Sequence, residues 1–215
     1  MARRTGGGSR KANGDTDGRI RARNEARILQ VSVRLFSAKG FDGTTISEIA
    51  EDSDLPKANV YYYFQSKAAI YERLIAEVFD DWDAALRHIR PERDAREALG
   101  DYVREKLESS RRNAAQSRFF AGELLRGGKF LSRRQRRHML DVTHEACAAI
   151  DQWIAEKRFP DIDPRHFLIM IWATTQFYSD FAPVVAATLE VPRLRKSEFD
   201  DAAEQILKAI KFDPD

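Results

Sequence analysis

Three polar side chains on one short segment could bind nucleic acid. Lys57 and Asn59 follow Pro56, and Tyr62 lies about one helical turn further on. An ammonium group, an amide and a phenol supply the charge and hydrogen bonds that reach phosphates and base edges in the DNA major groove. Val60 and the aromatic residues after Tyr62 would form the buried face of the same helix. A packed helical hairpin with aromatic filling is the alternative interpretation.

A second set of side chains could hold a flat ring. Trp172 and Gln176 are four residues apart, so they share one face of a helix. The Gln176 amide lies in an apolar stretch and offers one acceptor and two donors, which match the N–H and C=O of uracil or thymine. Trp82 and Trp172 could stack on such a ring. Alternatively, Gln176 bonds a backbone carbonyl or lies at a dimer seam, and both tryptophans pack in the core.

The elements that must position these residues are helices. Apolar residues recur at helical spacing from Ile28 onward, and Gly40 suits the left-handed end of that helix. A second helix is expected from Thr45 to Asp52, and Pro56 and Ser66 begin the next two. Later helices are expected at about 94–113, 116–127, 132–158, 164–189 and 196–211. Strand-like alternation is lacking, so the fold class is predicted to be all-α.

Composition narrows the function classes. The 215 residues are 43% hydrophobic and 33% charged, which is typical of a globular protein. Cys147 is the single cysteine, so an intramolecular disulfide and a Cys-rich zinc site are excluded. The longest apolar run, Phe167–Ala173, is far shorter than the ~20 residues that span a bilayer, and the N-terminus lacks a signal-like apolar segment. A cytoplasmic protein with no membrane partner and no cofactor is therefore expected.

Charge is unevenly distributed along the chain. Residues 1–67 hold 12 Lys and Arg against 8 Asp and Glu, whereas the remainder is slightly acidic. A basic front suggests a nucleic-acid-binding end. The predicted organisation is a disordered basic arm at 1–20, a helix-turn-helix domain at 21–68, and a helical effector-binding and dimerisation domain at 69–215.

The run TTISEIAEDSDLPKANVYYYFQSKAAIYERL resembles the DNA-binding domain of the TetR family of repressors. The resemblance implies that Lys57, Asn59, Tyr61 and Tyr62 face double-stranded operator DNA. It also implies that two residues at helix starts hold phosphates: Thr45 and Lys67. In the alternative interpretations, Thr45 only caps a helix, Tyr61 packs and Lys67 is solvated. Asp54 stands where the family usually has glycine, and aspartate tolerates the left-handed conformation better than most residues.

The stretch FPDIDPRHFLIMIWATTQFYSDFAP resembles the effector domain of the pyrimidine-utilisation repressors within that family. This resemblance implies a ligand-responsive repressor whose effector is a pyrimidine, bound near Trp82, Trp172 and Gln176. Tyr61 and Phe177 depart from the subgroup pattern, so a different small apolar or planar ligand is the alternative.

The last two predicted helices carry more apolar positions than one core face needs. We expect the surplus to form a four-helix dimer seam, which would place two recognition helices about one DNA turn apart. The apolar positions are Phe167, Met170, Ile171, Val184, Val185, Phe199, Ile206, Leu207 and Ile210.

Two other functions compete with a ligand-responsive repressor. His144 and Cys147 could begin a metal or nucleophile site, but no third ligand or nucleotide-binding loop follows, so an enzyme is not expected. A sequence-independent architectural DNA binder would need no ligand site. The basic segment Ser132–His138 is either a solvated helix start or a site for a phosphate or acidic ligand.

Overall fold

The computed structural model describes residues 10–210, with side chains from residue 18 onward. These residues form ten helices and no strand, which confirms the all-α class. The helices are α1 (Arg10–Lys39), α2 (Ile46–Asp52), α3 (Lys57–Tyr63), α4 (Lys67–Leu86), α5 (Ala95–Arg112), α6 (Ala114–Leu125), α7 (Arg133–Ala155), α8 (Pro164–Asp180), α9 (Ala182–Thr188) and α10 (Lys196–Ala209).

The chain divides into two compact units within α4. The N-terminal unit ends at Tyr71 and the C-terminal unit begins at Glu72. The sequence placed this boundary between residues 68 and 69, in the same helix. One helix therefore belongs to both units.

The first helix begins earlier than the sequence predicts. Helix α1 starts at Arg10, whereas regular structure was expected only near Arg21. Adding a residue to an existing helix gains one backbone hydrogen bond without a new nucleation cost, so a polar segment can continue a helix whose later turns are buried. The expected disordered arm is thus helical over residues 10–20, and residues 1–9 lie outside the described residues.

The buried face of the N-terminal unit follows the predicted pattern. Ile28, Val31 and Leu35 of α1 are buried. The helix ends at Gly40, whose φ is +71° and whose N–H donates to the Phe36 carbonyl at 2.9 Å. The predicted left-handed ending is therefore confirmed.

The turn between α2 and α3 contains the residue that departs from the family pattern. Asp54 adopts a φ of +52°, in the left-handed region that glycine enters at no steric cost. Its N–H donates to the Glu51 carbonyl at 2.9 Å, and the Leu55 N–H donates to the Ala50 carbonyl at 3.0 Å. These bonds hold the turn closed, so α3 keeps its position with aspartate at this site.

The core of the C-terminal unit forms around α5, which packs against α8 and α10. Its largest fully buried side chains include Trp153, Tyr102 and Phe167. The Trp153 indole donates to the Pro91 carbonyl at 3.1 Å, and the Arg158 guanidinium donates to the same oxygen at 2.6 Å. The loop after α4 is thereby fixed to the end of α7.

The single helix expected at 164–189 is two helices. Phe181, with φ −118° and ψ 32°, separates α8 from α9. Pro183 lies two residues further on. Its ring lacks an N–H and clashes with the carbonyl four residues earlier, so α8 cannot continue through it.

Candidate DNA interface and ligand cavity

Helix α3 has one polar and aromatic face that is exposed and one residue that is fully buried. Tyr62 is 69% exposed and Tyr61 is 48% exposed, whereas Val60 has no exposure. Lys57 and Asn59 are also exposed. The four side chains predicted to face DNA on this helix are therefore available to a partner.

Two of these side chains are lightly held by their neighbours. The Lys57 ammonium donates to Ser47 Oγ on α2 at 3.1 Å. The Tyr62 ring lies 5.2 Å from the Tyr63 ring, edge to face, and the Arg21 guanidinium lies 5.5 Å from its centroid. These exposed contacts orient both side chains without burying them.

Thr45 caps α2. Its hydroxyl oxygen accepts from the Glu48 N–H at 3.2 Å, and Glu48 Oε2 accepts from the Thr45 N–H at 2.8 Å, which completes a capping box. Hydrogen bonds from Lys39 and Thr45 lower the pKa of Glu48 to about 2. The alternative interpretation as a cap therefore fits Thr45, and a phosphate contact by this exposed residue stays a prediction.

Lys67 forms hydrogen bonds within its own unit. Its ammonium donates to the backbone carbonyls of Phe41 and Thr44, at 2.6 and 2.7 Å. It also lies 4.2 Å from the centroid of the Phe41 ring. These bonds fix the loop between α1 and α2 and leave one ammonium N–H, so the phosphate contact implied for Lys67 stays a prediction. Sequence position alone could not show that the ammonium turns inward.

The three predicted ligand-binding residues lie together. Trp82, Trp172 and Gln176 line one cavity of about 190 Å³ within the C-terminal unit. Side chains from α4, α5, α6 and α7 complete its wall: Phe79, Asp83, Leu86, Tyr102, Lys106, Leu124, Met139, Val142 and Thr143. The wall is mainly apolar and carries a few polar groups, which is the usual composition of a small-molecule site.

Both tryptophans pack and line the cavity at once. The Trp172 indole N–H donates to the Tyr102 hydroxyl at 2.7 Å. The Trp82 ring packs edge to face with Phe120 at 4.9 Å between centroids. Gln176 is half-buried, and within residues 18–210 no hydrogen bond to its side-chain amide is seen. The amide donors and acceptor are therefore available to water or to another molecule.

Sequence reasoning missed the polar residues that α5 contributes. Tyr102 and Lys106 are four residues apart and both reach the cavity, and Lys106 is only 6% exposed. A signal was present, because Lys106 continues the apolar helical stripe that Leu99 and Val103 begin. A lysine in such a stripe is either buried or marks a site.

The charged and phenolic groups of the cavity have unusual environments. Burial lowers the pKa of Lys106 to about 8, although Asp180 and Asp81 oppose the shift. Burial raises the pKa of the Tyr102 phenol well above its ordinary value, against the hydrogen bond from Trp172. Tyr102 therefore stays neutral, and because its oxygen accepts from Trp172, its own hydrogen remains for another acceptor.

Asp83 also contributes to the wall. Its Oδ2 lies 2.7 Å from His138 Nε2 on α7. Its Oδ1 is buried, and among the described residues it has no hydrogen-bond partner. Buried carboxylate oxygens are normally paired, so Oδ1 is an exception that lies behind the cavity wall.

A small polar recess adjoins the cavity. It has a volume of about 30 Å³ and shares Trp82, Lys106 and Gln176 with the cavity. Polar side chains form part of the remaining wall, namely Asp81, Ser109, Ser110, Asn113, Gln116 and Ser117, and Val78, Ala85 and Phe120 complete it. A space of this size holds one or two water molecules.

The remaining predicted features do not form a site. Ser132 caps α7 in a capping box with Gln135, and Arg133, Arg134 and Arg137 are exposed, which favours the solvated helix start. Among the described residues, Cys147 does not belong to a metal site either.

Burial raises the pKa of the Cys147 thiol. Residues 18–210 contain no group of three or more His, Cys, Asp or Glu side chains that could hold a metal ion. No helix in the described part of the chain is long and apolar enough to cross a membrane.

The family models match both units. Residues 28–74 match the model for bacterial regulatory proteins of the tetR family, and residues 75–212 match the model for the C-terminal region of YcdC-like proteins. The chain therefore belongs to the TetR family of helix-turn-helix transcriptional regulators.

Individual relatives agree with this assignment. The HTH-type transcriptional regulator RutR of Escherichia coli O157:H7 is 34% identical over 203 residues, which cover 94% of this chain and 95% of that protein. This likeness extends through both units. The relatives are transcriptional regulators, which confirms the expectation that the chain is not an enzyme.

Solved structures show the same fold. A tetR-family regulatory protein from Rhodococcus RHA1 gives a TM-score of 0.68 at 21% identity, covering 88% of this chain and 97% of that one. AibR in complex with isovaleryl coenzyme A and operator DNA gives a TM-score of 0.66 at 18% identity, covering 89% and 100%. At these identities the likeness concerns the fold alone.

Proposed function

We propose that this protein is a homodimeric repressor whose affinity for operator DNA responds to a small planar ring bound in the cavity. A pyrimidine such as uracil or thymine is the proposed effector. The observation that carries the proposal is that Trp82, Trp172 and Gln176, distant in sequence, line one cavity. The sequence resemblance to pyrimidine-utilisation repressors supports the same ligand class.

The size of the cavity suits one six-membered ring. An apolar cavity of about 150 Å³ holds benzene. The present cavity, at about 190 Å³, has room for such a ring with a small substituent. Uracil and thymine are small enough to fit this volume.

The polar groups suit a ring that carries both N–H and C=O. The Gln176 amide can accept from a ring N–H and donate to the adjacent carbonyl. Trp82 and Trp172 offer aromatic surface on which a flat ring can stack. Correct pairing matters because a buried polar ring edge without a partner costs about 1–3 kcal/mol per group.

The exposed face of α3 is the proposed DNA-reading surface. Lys57, Asn59, Tyr61 and Tyr62 supply an ammonium group, an amide and two phenols. A helix that displays such groups fits the major groove, where bases present distinct hydrogen-bonding patterns. Operator DNA as the target places the protein in the cytoplasm.

A second copy of the chain is the proposed cover for an apolar surface on α8 and α9. Phe177 and Phe181 stack on each other at 4.7 Å between centroids while both remain exposed. Further exposed apolar residues on or next to these helices are Ile169, Met170, Val184 and Leu189. Two-fold pairing would present two copies of α3 to the two halves of an operator.

Helix α4 offers a route from ligand to DNA. Its first residues belong to the N-terminal unit, and its Trp82 lines the cavity. We infer that a ligand which favours one position of this helix changes operator affinity. A coupling free energy of about 1–3 kcal/mol would make a useful switch.

The proposal is tested with calorimetry on the full chain. Uracil and thymine are titrated into wild type and into Gln176→Leu, which keeps the approximate size and removes the amide. Affinity should fall at least about tenfold in the variant. Operator binding in the absence of ligand should be unchanged, because α3 is untouched.

Gln152→Leu provides the matched control, since the Gln152 amide is exposed and donates only to Glu156 on the same helix turn at 2.8 Å. It should bind uracil like the wild type. Wild-type protein that binds neither pyrimidine at millimolar concentration would contradict the effector assignment. Equal binding by wild type and Gln176→Leu would instead show that the ring lies elsewhere.

A further inference from the structure

Lys106 is the cavity group that the proposed function leaves unused. Its side chain is 94% buried, yet it lines both the cavity and the polar recess. Within residues 18–210 its ammonium forms no ion pair and no hydrogen bond with another side chain or with the backbone. Its Nζ lies 5.1 Å from the centroid of the Trp82 ring.

The neighbouring carboxylates are engaged by other donors. Asp81 Oδ2 accepts from the Asn113 amide at 2.8 Å, and Asp180 Oδ1 accepts from the Ser117 hydroxyl at 2.6 Å. Asp81 and Asp180 favour the charged form of Lys106 through space, but neither pairs with it directly. An ammonium has three N–H donors and no acceptor, so the molecule that meets it must bring an acceptor.

We propose that Lys106 donates to a carbonyl oxygen of the bound ring and thereby selects oxo-substituted rings over amino-substituted ones. This inference rests on the proposed function, since it concerns the same cavity and the same ligand class. An amino group at that position would place its N–H donors next to the ammonium N–H donors. Neither group would then have a hydrogen-bond acceptor. Sites built on hydrogen bonds reject such analogues strongly.

The charges around the cavity favour a neutral carbonyl over a carboxylate. Asp83 lies in the cavity wall, Asp81 lies in the recess wall, and Asp180 acts on Lys106 through space. These carboxylates would repel an anionic ligand. A neutral ring can instead direct its carbonyl to Lys106 and its N–H to the Gln176 amide oxygen.

The test uses three pyrimidines that differ in one exocyclic group and, with it, in whether a neighbouring ring nitrogen carries a hydrogen. Uracil has two carbonyls, whereas cytosine and isocytosine each replace a different one with an amino group. Wild-type protein at pH 7 should bind uracil at least about tenfold more tightly than the analogue that places its amino group at Lys106. Lys106→Met, which keeps the length and removes the donors, should lose this preference through weaker uracil binding.

Two further variants keep the result interpretable. Lys129→Met removes an exposed lysine of the same unit and should bind all three pyrimidines like wild type. Lys106→Gln carries an amide that donates or accepts, so it should bind the rejected analogue better than wild type does. Thermal melting of each variant establishes that it is folded.

The outcomes separate this inference from the proposed function. In one outcome, Lys106→Met still prefers uracil over the amino-substituted analogue while Gln176→Leu binds uracil more weakly. That result overturns the role of Lys106 and leaves the effector assignment standing. Uracil-6-carboxylate that binds wild type more than tenfold tighter than uracil overturns the neutral-carbonyl assignment. A wild type that binds no pyrimidine overturns both proposals.

Discussion

Lys67 in the N-terminal unit and Lys106 in the C-terminal unit are both sheltered cations, but the fold treats them in opposite ways. The Lys67 ammonium donates to two backbone carbonyls at 2.6 and 2.7 Å. The Lys106 ammonium faces a cavity, with an aromatic ring at 5.1 Å and no direct acceptor among the described residues. An ammonium that donates hydrogen bonds to backbone carbonyls stabilises the fold. A buried ammonium without such acceptors is available to a ligand.

The same substitution should therefore have opposite effects at the two positions. Lys67→Met removes two charge-assisted hydrogen bonds, each worth about 1.5–3 kcal/mol. It should lower the free energy of unfolding by about 3–5 kcal/mol, measured by urea denaturation of the full chain. A loss below about 1 kcal/mol would show that the loop carbonyls of Phe41 and Thr44 find water just as well.

Lys106→Met should stabilise the protein at pH 7. The depression of its pKa from 10.5 to about 8 corresponds to about 3 kcal/mol of unfavourable burial of charge, at 1.36 kcal/mol per pKa unit. Removing the amine should recover up to that amount in ligand-free protein. Destabilisation by this variant would break the comparison, because it would show that the ammonium has a structural partner.

The pH dependence of the free energy of unfolding tests the environment of Lys106 more specifically. Between pH 8 and 10.5 the unfolded chain holds the Lys106 proton more tightly than the folded protein does, so wild-type stability rises through this window. The advantage of Lys106→Met should shrink over the same range and vanish above it. Paired denaturation curves at pH 7, 9 and 10.5 measure the difference between the two proteins, which cancels groups common to both.

A third lysine extends the comparison to the surface. Lys57 is exposed and bonds only Ser47, so Lys57→Met should leave the free energy of unfolding within about 0.5 kcal/mol of wild type. Operator affinity should fall about tenfold, since a contact to a base edge is worth about 1–3 kcal/mol. Fluorescence anisotropy with operator and unrelated DNA distinguishes a base contact from a phosphate contact, because losing a phosphate contact weakens both alike.

The smallest effect is expected at Thr45. Thr45→Ala removes the cap of α2 and should cost about 1 kcal/mol of stability. Thr45→Ser keeps the capping oxygen and should recover most of it. Operator binding that falls in Thr45→Ala and is not restored in Thr45→Ser would assign the threonine a role beyond capping.

Local signals in the sequence predicted most of the fold. The helix starts at Thr45 and Ser132 and the left-handed ending at Gly40 depend on neighbouring residues, so they could be identified without a structure. The early start of α1 could not, because a polar stretch extends a helix only when later turns are buried. Pro183 did signal the break at Phe181, but the apolar residues on both sides of it suggested one continuous helix.

The residues of the candidate site also fall into two groups: some follow from local sequence signals, and others depend on the tertiary fold. Trp172 and Gln176 were found because helical spacing puts them on one face, and Trp82 because of a resemblance. Lys106 was missed because its burial depends on five helices that meet only in the folded unit. The backbone contacts of Lys67 could not be predicted either, because the direction of its ammonium depends on the distant loop at Phe41 and Thr44.

The continuity of α4 across Tyr71 and Glu72 limits how the two units can be exchanged or redesigned. A cut at that point would expose the backbone carbonyls of an interrupted helix, which then need new partners. Deleting one residue there would turn every later residue of the helix by about 100° and shift it by about 1.5 Å along the axis. A chimaera with another regulator of this fold must therefore be joined in helical register, so that α4 is the splice site as well as the connection.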